Sequence, residues 1–426
     1  MPYTESSPQE AVPTSMSEME NAIREVAREG AQRLLQKALE AEIAAYLEKY
    51  ESLTDEHGRQ AVVRNGHAPE REIITGVGTV KVARPRVDER TARNLSEHHK
   101  EFTSAVLPKF MRRTPTVEGV VATLYLKGVS TNDFGQAMEA ILGEQQPANF
   151  SAATVSRLKQ VWHEEYENWR TRSLSSDRYA YIWADGVYFN ARIEGERNCI
   201  LVVIGAKFNG EKELLGIADG VRESETSWKE LLLELKDRGM NVDPKLAIAD
   251  GALGFWKALP QVFPTTATQR CWVHKTANVL DKLPQSVQPR AKTLIHDIYG
   301  AESEAKAQQA FTHFCKSYRD KYPKAVECLE KDRETLLSFY RFPAAHWRHI
   351  RSTNVIESIF ATVRLRTYKT KGLGTRNATL GMVFKLVQEA SRGWRKISKW
   401  RQLELVQAGR VFKDGELVED EEELTA

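Results

Sequence analysis

The sequence predicts an α/β core, a mixed sheet with flanking helices, preceded by a helical N-terminal region and interrupted by an α-helical insertion. Three observations carry this reading. The stretches "YAYIWADGVYF", "RNCILVVIGAKFNG" and "KELLGIADGV" follow one another with short turns, as the strands of an antiparallel meander do. A helix, "SETSWKELLLELKDRGM", ends at Gly239 and leads into the apolar run "KLAIAD", so a fourth strand follows a crossover and can lie parallel to an earlier one. Residues 276–344 form a helix-rich stretch with no strand pattern. At 426 residues and 41% hydrophobic content the chain is long enough for two to four folded units with real cores.

The elements fall in a definite order. Residues 1–16 are Ser, Pro, Thr and Glu with little to bury and read as disordered. Residues 17–57 read as one long helix, with Ser17 and Glu20 at capping-box spacing and an apolar stripe at Ile23, Val26, Leu34, Leu35, Leu39, Ile43, Tyr46, Leu47 and Tyr50. Its partner is either another part of the same core or a second copy in a homodimer. Residues 58–110 hold a hairpin around Gly76 and Gly78 with a basic rim, and a linker. Residues 111–175 read as three helices in a helix-turn-helix arrangement, the last opening at Ser151 and presenting Arg157 and Lys159 near its start, where base edges and phosphates are met; generic three-helix packing is the alternative. The first part of the core spans 176–275, the helical insertion 276–344, the second part of the core 345–405, and an acidic tail 406–426.

Basic and acidic residues nearly cancel, 61 against 58, for a formal net charge of +3, so a preference for nucleic acid must come from placement. Neither an apolar run of membrane-spanning length nor a signal peptide is present, which leads to a cytoplasmic expectation. None of the four cysteines makes a C-x-x-C pair, and Cys199 sits in an apolar run as a core thiol does.

The tripeptide Ala-Asp-Gly occurs three times, at Asp185, Asp219 and Asp250. Strand order β-β-β-α-β with the fourth strand beside the first is that of the ribonuclease H-like fold; it brings Asp185 and Asp250 to the ends of neighbouring strands, about 4.8 Å apart, where both can hold ions about 3.5–4 Å apart. Asp219 ends the third strand, roughly 10 to 15 Å away by the same spacing, and reads as a turn residue. A third carboxylate is Glu357, the sole acidic residue between Thr335 and Gln388, among Arg341, Arg348, Arg351, Arg364, Arg366, Lys369, Lys371, Arg376 and Lys385. Asn354 and Glu357 also have the spacing of a helix capping box, so capping is an alternative compatible with facing the cleft.

Four ordered motifs, "ADGVYF", "IADGALGFWKAL", "FPTTATQRCWVHKTANVL" and "RSTNVIESIFATVRLRT", resemble those of the Mutator-like bacterial insertion-sequence transposases, over residues 17 to 400. The resemblance implies an Asp-Asp-Glu triad at Asp185, Asp250 and Glu357 on a ribonuclease H-like core, a C-x-x-H signature at Cys271 and His274, and a helical insertion between the second aspartate and the glutamate. Gly186 and Asn190 depart from the alanine and basic residue expected in many relatives. The activity implied is binding of insertion-sequence ends, at terminal inverted repeats, followed by metal-dependent cleavage and transfer into target DNA, in a bacterial cytoplasm in association with the nucleoid.

The chemistry agrees. Phosphodiesters repel nucleophiles, so divalent metals that activate water or a 3′-hydroxyl and stabilise the leaving oxygen help, and oxygen ligands suit Mg²⁺ with Mn²⁺ as substitute. Arg348, Arg351, Arg364, Arg366 and Lys369 are expected to hold DNA phosphates. Cys271 and His274 are half a structural zinc set, and His313 with Cys315 completes no common pattern, so a buried pair at a helix start or a DNA contact by His274, beside Trp272 and Lys275, is expected instead. The alternative functions are a DNA-binding regulator with an inert nuclease-like core and a ribonuclease H-like structure-specific nuclease.

Overall fold

A computed structural model describes residues 15–95, 99–129, 133–142, 152–188, 198–221, 223–251, 253–369 and 375–418. The N-terminal 14 residues, Ser151, Asn190 and residues 419–426 of the acidic tail lie outside these. The chain divides into two compact units, residues 1–125 with 129–153, and residues 126–128 with 154–426.

The first unit opens on helix α1 (Met16–Lys49), whose capping box is Ser15 with Glu18, two residues before the pair expected from the sequence. Strands β1 (Val63–His67), β2 (Arg71–Thr75), β3 (Gly78–Val82) and β4 (Pro85–Asp88) follow; β2 and β3 form the expected hairpin with Thr75 opposite Gly78, and β1 pairs with β4. Leu39 packs with Ile73, Val80, Val82 and Leu107, while Tyr46, Leu47 and Tyr50 cover Ala61, Val62 and Ala92. The C-terminal half of the α1 stripe is therefore spent on its own unit. Ile23, Val26 and Leu34, in the other half, are exposed. Helices α2 (Arg90–Leu95), α3 (Pro115–Leu126) and α4 (Phe134–Leu142) complete the sequence of this region.

Helix α5 (Ala152–Arg170) belongs, from Thr154 on, to the second unit rather than with the preceding helices. The unit's sheet is built from β5 (Tyr179–Tyr188), β6 (Asn198–Lys207) and β7 (Lys212–Val221), then helix α6 (Glu225–Asp237), β8 (Leu246–Ala249), α7 (Leu253–Val262) and β9 (Ala267–Arg270). Strand order is β7-β6-β5-β8-β9, antiparallel through β5–β6–β7 and parallel from β5 through β8 to β9. This is the β-β-β-α-β arrangement expected, with a fifth strand added.

On one face α6 and α7 bury Trp228, Leu231, Leu235, Phe255 and Leu259 against Ile182, Leu201, Val203 and Ala247. The helical stretch follows as α8 (Trp272–Leu280), α9 (Gln288–Tyr299), α10 (Glu304–Tyr318), α11 (Pro323–Glu330) and α12 (Arg333–Leu337), with no strand between 276 and 344. After it come α13 (Trp347–Ile350), α14 (Asn354–Lys369), α15 (Arg376–Ser391) and α16 (Gln402–Gln407). The chain returns to the other sheet face, where the Tyr181 hydroxyl meets His346 Nδ1 at 2.8 Å and Trp183 Nε1 donates to the carbonyl of His349 at 3.0 Å. Helix α5 is part of this packing: Tyr166 donates to the carbonyl of Ile217 at 2.8 Å, and α15 approaches closely because a Cβ at Gly381 would stand 2.7 Å from the backbone nitrogen of His163.

Candidate active site

Strand register builds the cleft. Ala184 pairs with Ala249 in parallel, so the next residues stand at the same level: Asp250 just past the end of β8, and Asp185 still within β5, opposite Val202, rather than at the strand end expected from the sequence. Asp185 is 6% exposed, with one carboxylate oxygen accepting from the backbone N–H of Gly186 at 2.9 Å. The backbone of Asp250 is pinned by Trp256 Nε1 at 2.8 Å and Arg270 Nη1 at 2.6 Å, both donating to its carbonyl.

Helix α8 starts at the end of β9, where the N–H of Cys271 donates to the carbonyl of Ala249 at 2.9 Å. His274, in its first turn, reaches the aspartates: one ligand atom each from Asp185, Asp250 and His274 lie within 4.8 Å of one another. Cys271, His274 and Glu357 form a second such group. Among the described residues the three carboxylates are not themselves one group; His274 stands between the aspartates and the glutamate, with Nδ1 3.5 Å from Glu357 Oε1.

Glu357 lies in the first turn of α14, and the cap is Thr353, one residue before the asparagine expected in that role: Thr353 O accepts from Glu357 N at 3.0 Å. The Thr353 hydroxyl lies 3.3 Å from Glu357 Oε1, 3.4 Å from His274 Nδ1 and 3.4 Å from Cys271 Sγ, which also accepts from the Thr353 N–H at 3.3 Å. Thr353 thus ties α14 to α8. His313 and Cys315 do not join any of these groups among the described residues.

Burial, and then the neighbouring Asp250 charge, push the Asp185 carboxyl up to about 7. Its hydrogen bond with Cys271, and further the charges of Asp185 and Asp250, push His274 up to about 9, so the imidazolium persists at neutral pH and partly offsets the acidic cluster.

A fourth acid was not singled out from the sequence. Glu223, just before the Ser224 cap of α6, has its carboxyl pushed up to about 7 by burial and by Asp250. It lies against Gly186, where a Cβ would stand 2.4 Å from its Oε1. Its signal was an acidic residue between the third strand and a capped helix, a position also explained by the helix dipole. Asp219, by contrast, is ion-paired with Arg376 at the start of α15, away from the aspartate pair.

The expected DNA contacts divide. Arg348 is exposed, as are Arg157 and Arg364, while Lys159 is half-buried. Arg351 turns inward, donating to the Tyr299 carbonyl and lying over the rings of Tyr299 and Phe339, because it ties the chain after α13 to α9. Cys271 is buried, Trp272 is buried and donates to Leu336 O at 2.8 Å, and Lys275 is buried in an ion pair with Asp332, so these three serve the interior of the unit. Arg366 and Lys369 lie outside the residues whose side chains are described.

A mixed α/β core with an acidic cleft, preceded by a separate mainly helical unit, defines the class. Residues 4–397 match the family "Transposase, Mutator family", and the chain belongs to that family. It is 48% identical over 306 residues, 72% of this chain and 94% of the relative, to the transposase for insertion sequence element IS6120 of Mycolicibacterium smegmatis. It is 45% identical over 280 residues, 66% of this chain and 94% of the relative, to that for IST2 of Acidithiobacillus ferrooxidans, and 30% identical over 350 residues, 82% and 84%, to that for IS905 of Lactococcus lactis. No helix among the described residues is long and apolar enough to cross a membrane.

Proposed function

We propose that this chain is a DNA transposase that binds the ends of an insertion sequence and cuts and joins DNA with Asp185, Asp250 and Glu357 on a ribonuclease H-like core. The observation that carries the reading is the parallel register of β5 and β8, which sets two aspartates side by side within reach of His274. The donor set fits a hard divalent cation: carboxylate oxygens in a partly buried cleft, where burial and then the charge of Asp250 hold Asp185 protonated well above the usual carboxylate range. Asp185, Asp250 and Glu357 would hold Mg²⁺, or Mn²⁺ in its place. When bound, such ions activate a hydroxyl nucleophile and stabilise the departing oxygen.

The chain's own residues do the rest. Thr353 fixes Glu357 and His274 relative to each other, and His274 supplies positive charge beside the aspartates. The exposed Arg157 and Arg364 and half-buried Lys159 meet DNA, Arg157 and Lys159 reading the ends, and a homodimer forms through α1. Association with bacterial nucleoid DNA follows from these contacts.

The test uses the full chain, DNA carrying the ends of the encoding element, and Mg²⁺. Asp185→Ala, Asp250→Ala and Glu357→Gln each abolish cleavage and joining while retaining end binding, and Asp219→Asn stays active. Tight binding by the wild-type protein without any cutting would identify a regulator with an inert core instead.

A further inference from the structure

On the second unit a cavity of about 350 Å³ opens between the start of β7, α13, the first turn of α14 and the loop after α15. Its charged lining is Lys212, Arg348 and Arg395, with His349, Asn354 and Ser358 between them and no carboxylate in the wall. Among the described residues none of the three cations has a carboxylate within ion-pair distance; the Lys212 ammonium donates instead to the carbonyl of Arg395 and lies 5.8 Å over the Trp183 ring.

His349 adds no charge of its own. Its Nε2 accepts from Arg348 Nε at 3.2 Å and from the N–H of Ser398 at 3.3 Å, which requires the neutral ring. Burial, and then the Lys212 and Arg348 charges, push it down to about 3, while burial and Arg348 push Lys212 down to about 8. Burial leads both shifts, and the next cause of each is a neighbouring cation that no carboxylate in the wall offsets, a condition that an anion relieves. The first turn of α14 adds the favourable end of a helix of 16 residues.

We infer that this cavity takes a backbone phosphate of the DNA, adjacent to the one at the carboxylates. The inference rests on the reading of the acidic cleft as a DNA-cutting site, and α14 supplies the link. Asn354, Val355 and Ser358 line the cavity while Glu357, in the same turn, faces about 100° away around the helix axis. One turn of helix rises about 5.4 Å, and a DNA strand carries a charge every 3.4 Å or so along its axis, so a strand crossing the start of α14 can present one phosphate to each side. The cavity thereby fixes how far along the strand the cleft acts.

The experiment is a salt titration of binding between the full chain and a short labelled duplex of arbitrary sequence, in chelator. In the double variant Arg348→Gln with Arg395→Gln, the slope of log K against log salt falls by about 0.9 for one lost phosphate, and affinity at moderate salt falls several-fold. Arg395→Lys restores most of the slope, and Lys306→Gln, on α10 and paired with Glu302, leaves it unchanged. An unchanged slope in the double variant overturns the inference, as does an equal fall in Lys306→Gln, which would mean a diffuse field. Stabilisation of the wild-type protein, but not of the double variant, by inorganic phosphate with no change of slope would assign a free-anion site and also overturn it. Without metal the assay does not read the carboxylates: Asp185→Ala keeps the wild-type slope, so failure of the cleavage reading and failure of this one are separable.

Discussion

Glu223 owes its position to two glycines. At Gly186 a Cβ would collide with its carboxylate, and at Gly254, the second residue of α7, a Cβ would stand 2.2 Å from its carbonyl oxygen and 2.8 Å from the nitrogen of Glu225. The first contact is with the end of a flexible side chain and can give way; the second is with backbone and cannot. Gly254→Ala therefore costs about 1–3 kcal/mol through overpacking and shifts the segment carrying Glu223. If Glu223 supports the ions at Asp250, Glu223→Gln weakens Mn²⁺ binding about 10-fold, as loss of a supporting carboxylate does, with the fold intact. Calorimetric titration with Mn²⁺ checks this, and an unchanged affinity would make Glu223 a bystander. Asp185, Asp250 and Glu357 stood out in the sequence because each sits in a local pattern, a strand end or a basic stretch. Glu223 and Thr353 did not, since their significance arises from contacts across the fold with Gly186 and Cys271.

Among the elements, segments with an apolar pattern were readable and those without one were not. The meander, α6 and β8 follow from alternation and a helical stripe, and the parallel β5–β8 pairing follows from the crossover. Strand β9, four residues of sequence Ala-Thr-Gln-Arg, carries no apolar alternation. It is held instead by a buried polar side chain: the Gln269 amide donates to Leu336 O at 3.0 Å and accepts from Phe339 N at 2.8 Å. Helix α5 illustrates the opposite difficulty. Its N-terminal Arg and Lys suggested a DNA-reading helix, yet Leu158, Trp162 and Tyr166 are buried in the second unit, a stripe that sequence alone assigns to no particular neighbour. The stripe of α1 gives a prediction at this scale. Leu39→Ala, within the core with Ile73 and Val80, lowers the stability of the first unit by about 2–5 kcal/mol. Replacing Ile23, Val26 and Leu34 together by Ser, all exposed at helical spacing, leaves that stability near wild type but converts dimer to monomer in analytical ultracentrifugation. A wild-type chain that sediments as a monomer at every concentration would remove the dimer from the proposal.

For the whole molecule, the cleft couples ionisation to folding. The order of segments, with a helical stretch dividing two parts of one core, was visible in the absence of strand patterns between 276 and 344; the electrostatic state of the cleft was not, because it depends on burial. Asp185 and Glu223 are pushed up to about 7 in the folded chain, by burial first in both. An unfolded Asp or Glu titrates near 4, so between about pH 4 and pH 7 the folded state holds protons that the unfolded state has released, and stability falls as pH rises across that window. His274 acts in the same direction: raised to about 9, it contributes stability that is fully present below about 6.5, the unfolded value, and is lost as pH climbs through the folded one. His349 and His346, pushed down to about 3 and about 4 chiefly by burial, act in the opposite direction below about pH 6.5, so the cleft is read by difference: relative to Asp185→Asn, the metal-free wild-type protein should lose melting temperature as pH rises from about 4 to about 7. Divalent ions compete with those same protons, so Mg²⁺ or Mn²⁺ should raise the melting temperature of the wild-type chain more above pH 7 than below it, and that gain should be absent in Asp185→Asn. Scanning calorimetry of both proteins, with chelator and with Mn²⁺, decides the matter: wild-type and variant curves that run parallel with pH, or a melting temperature indifferent to Mn²⁺ at alkaline pH, would show that the cleft neither stores these protons nor exchanges them for metal.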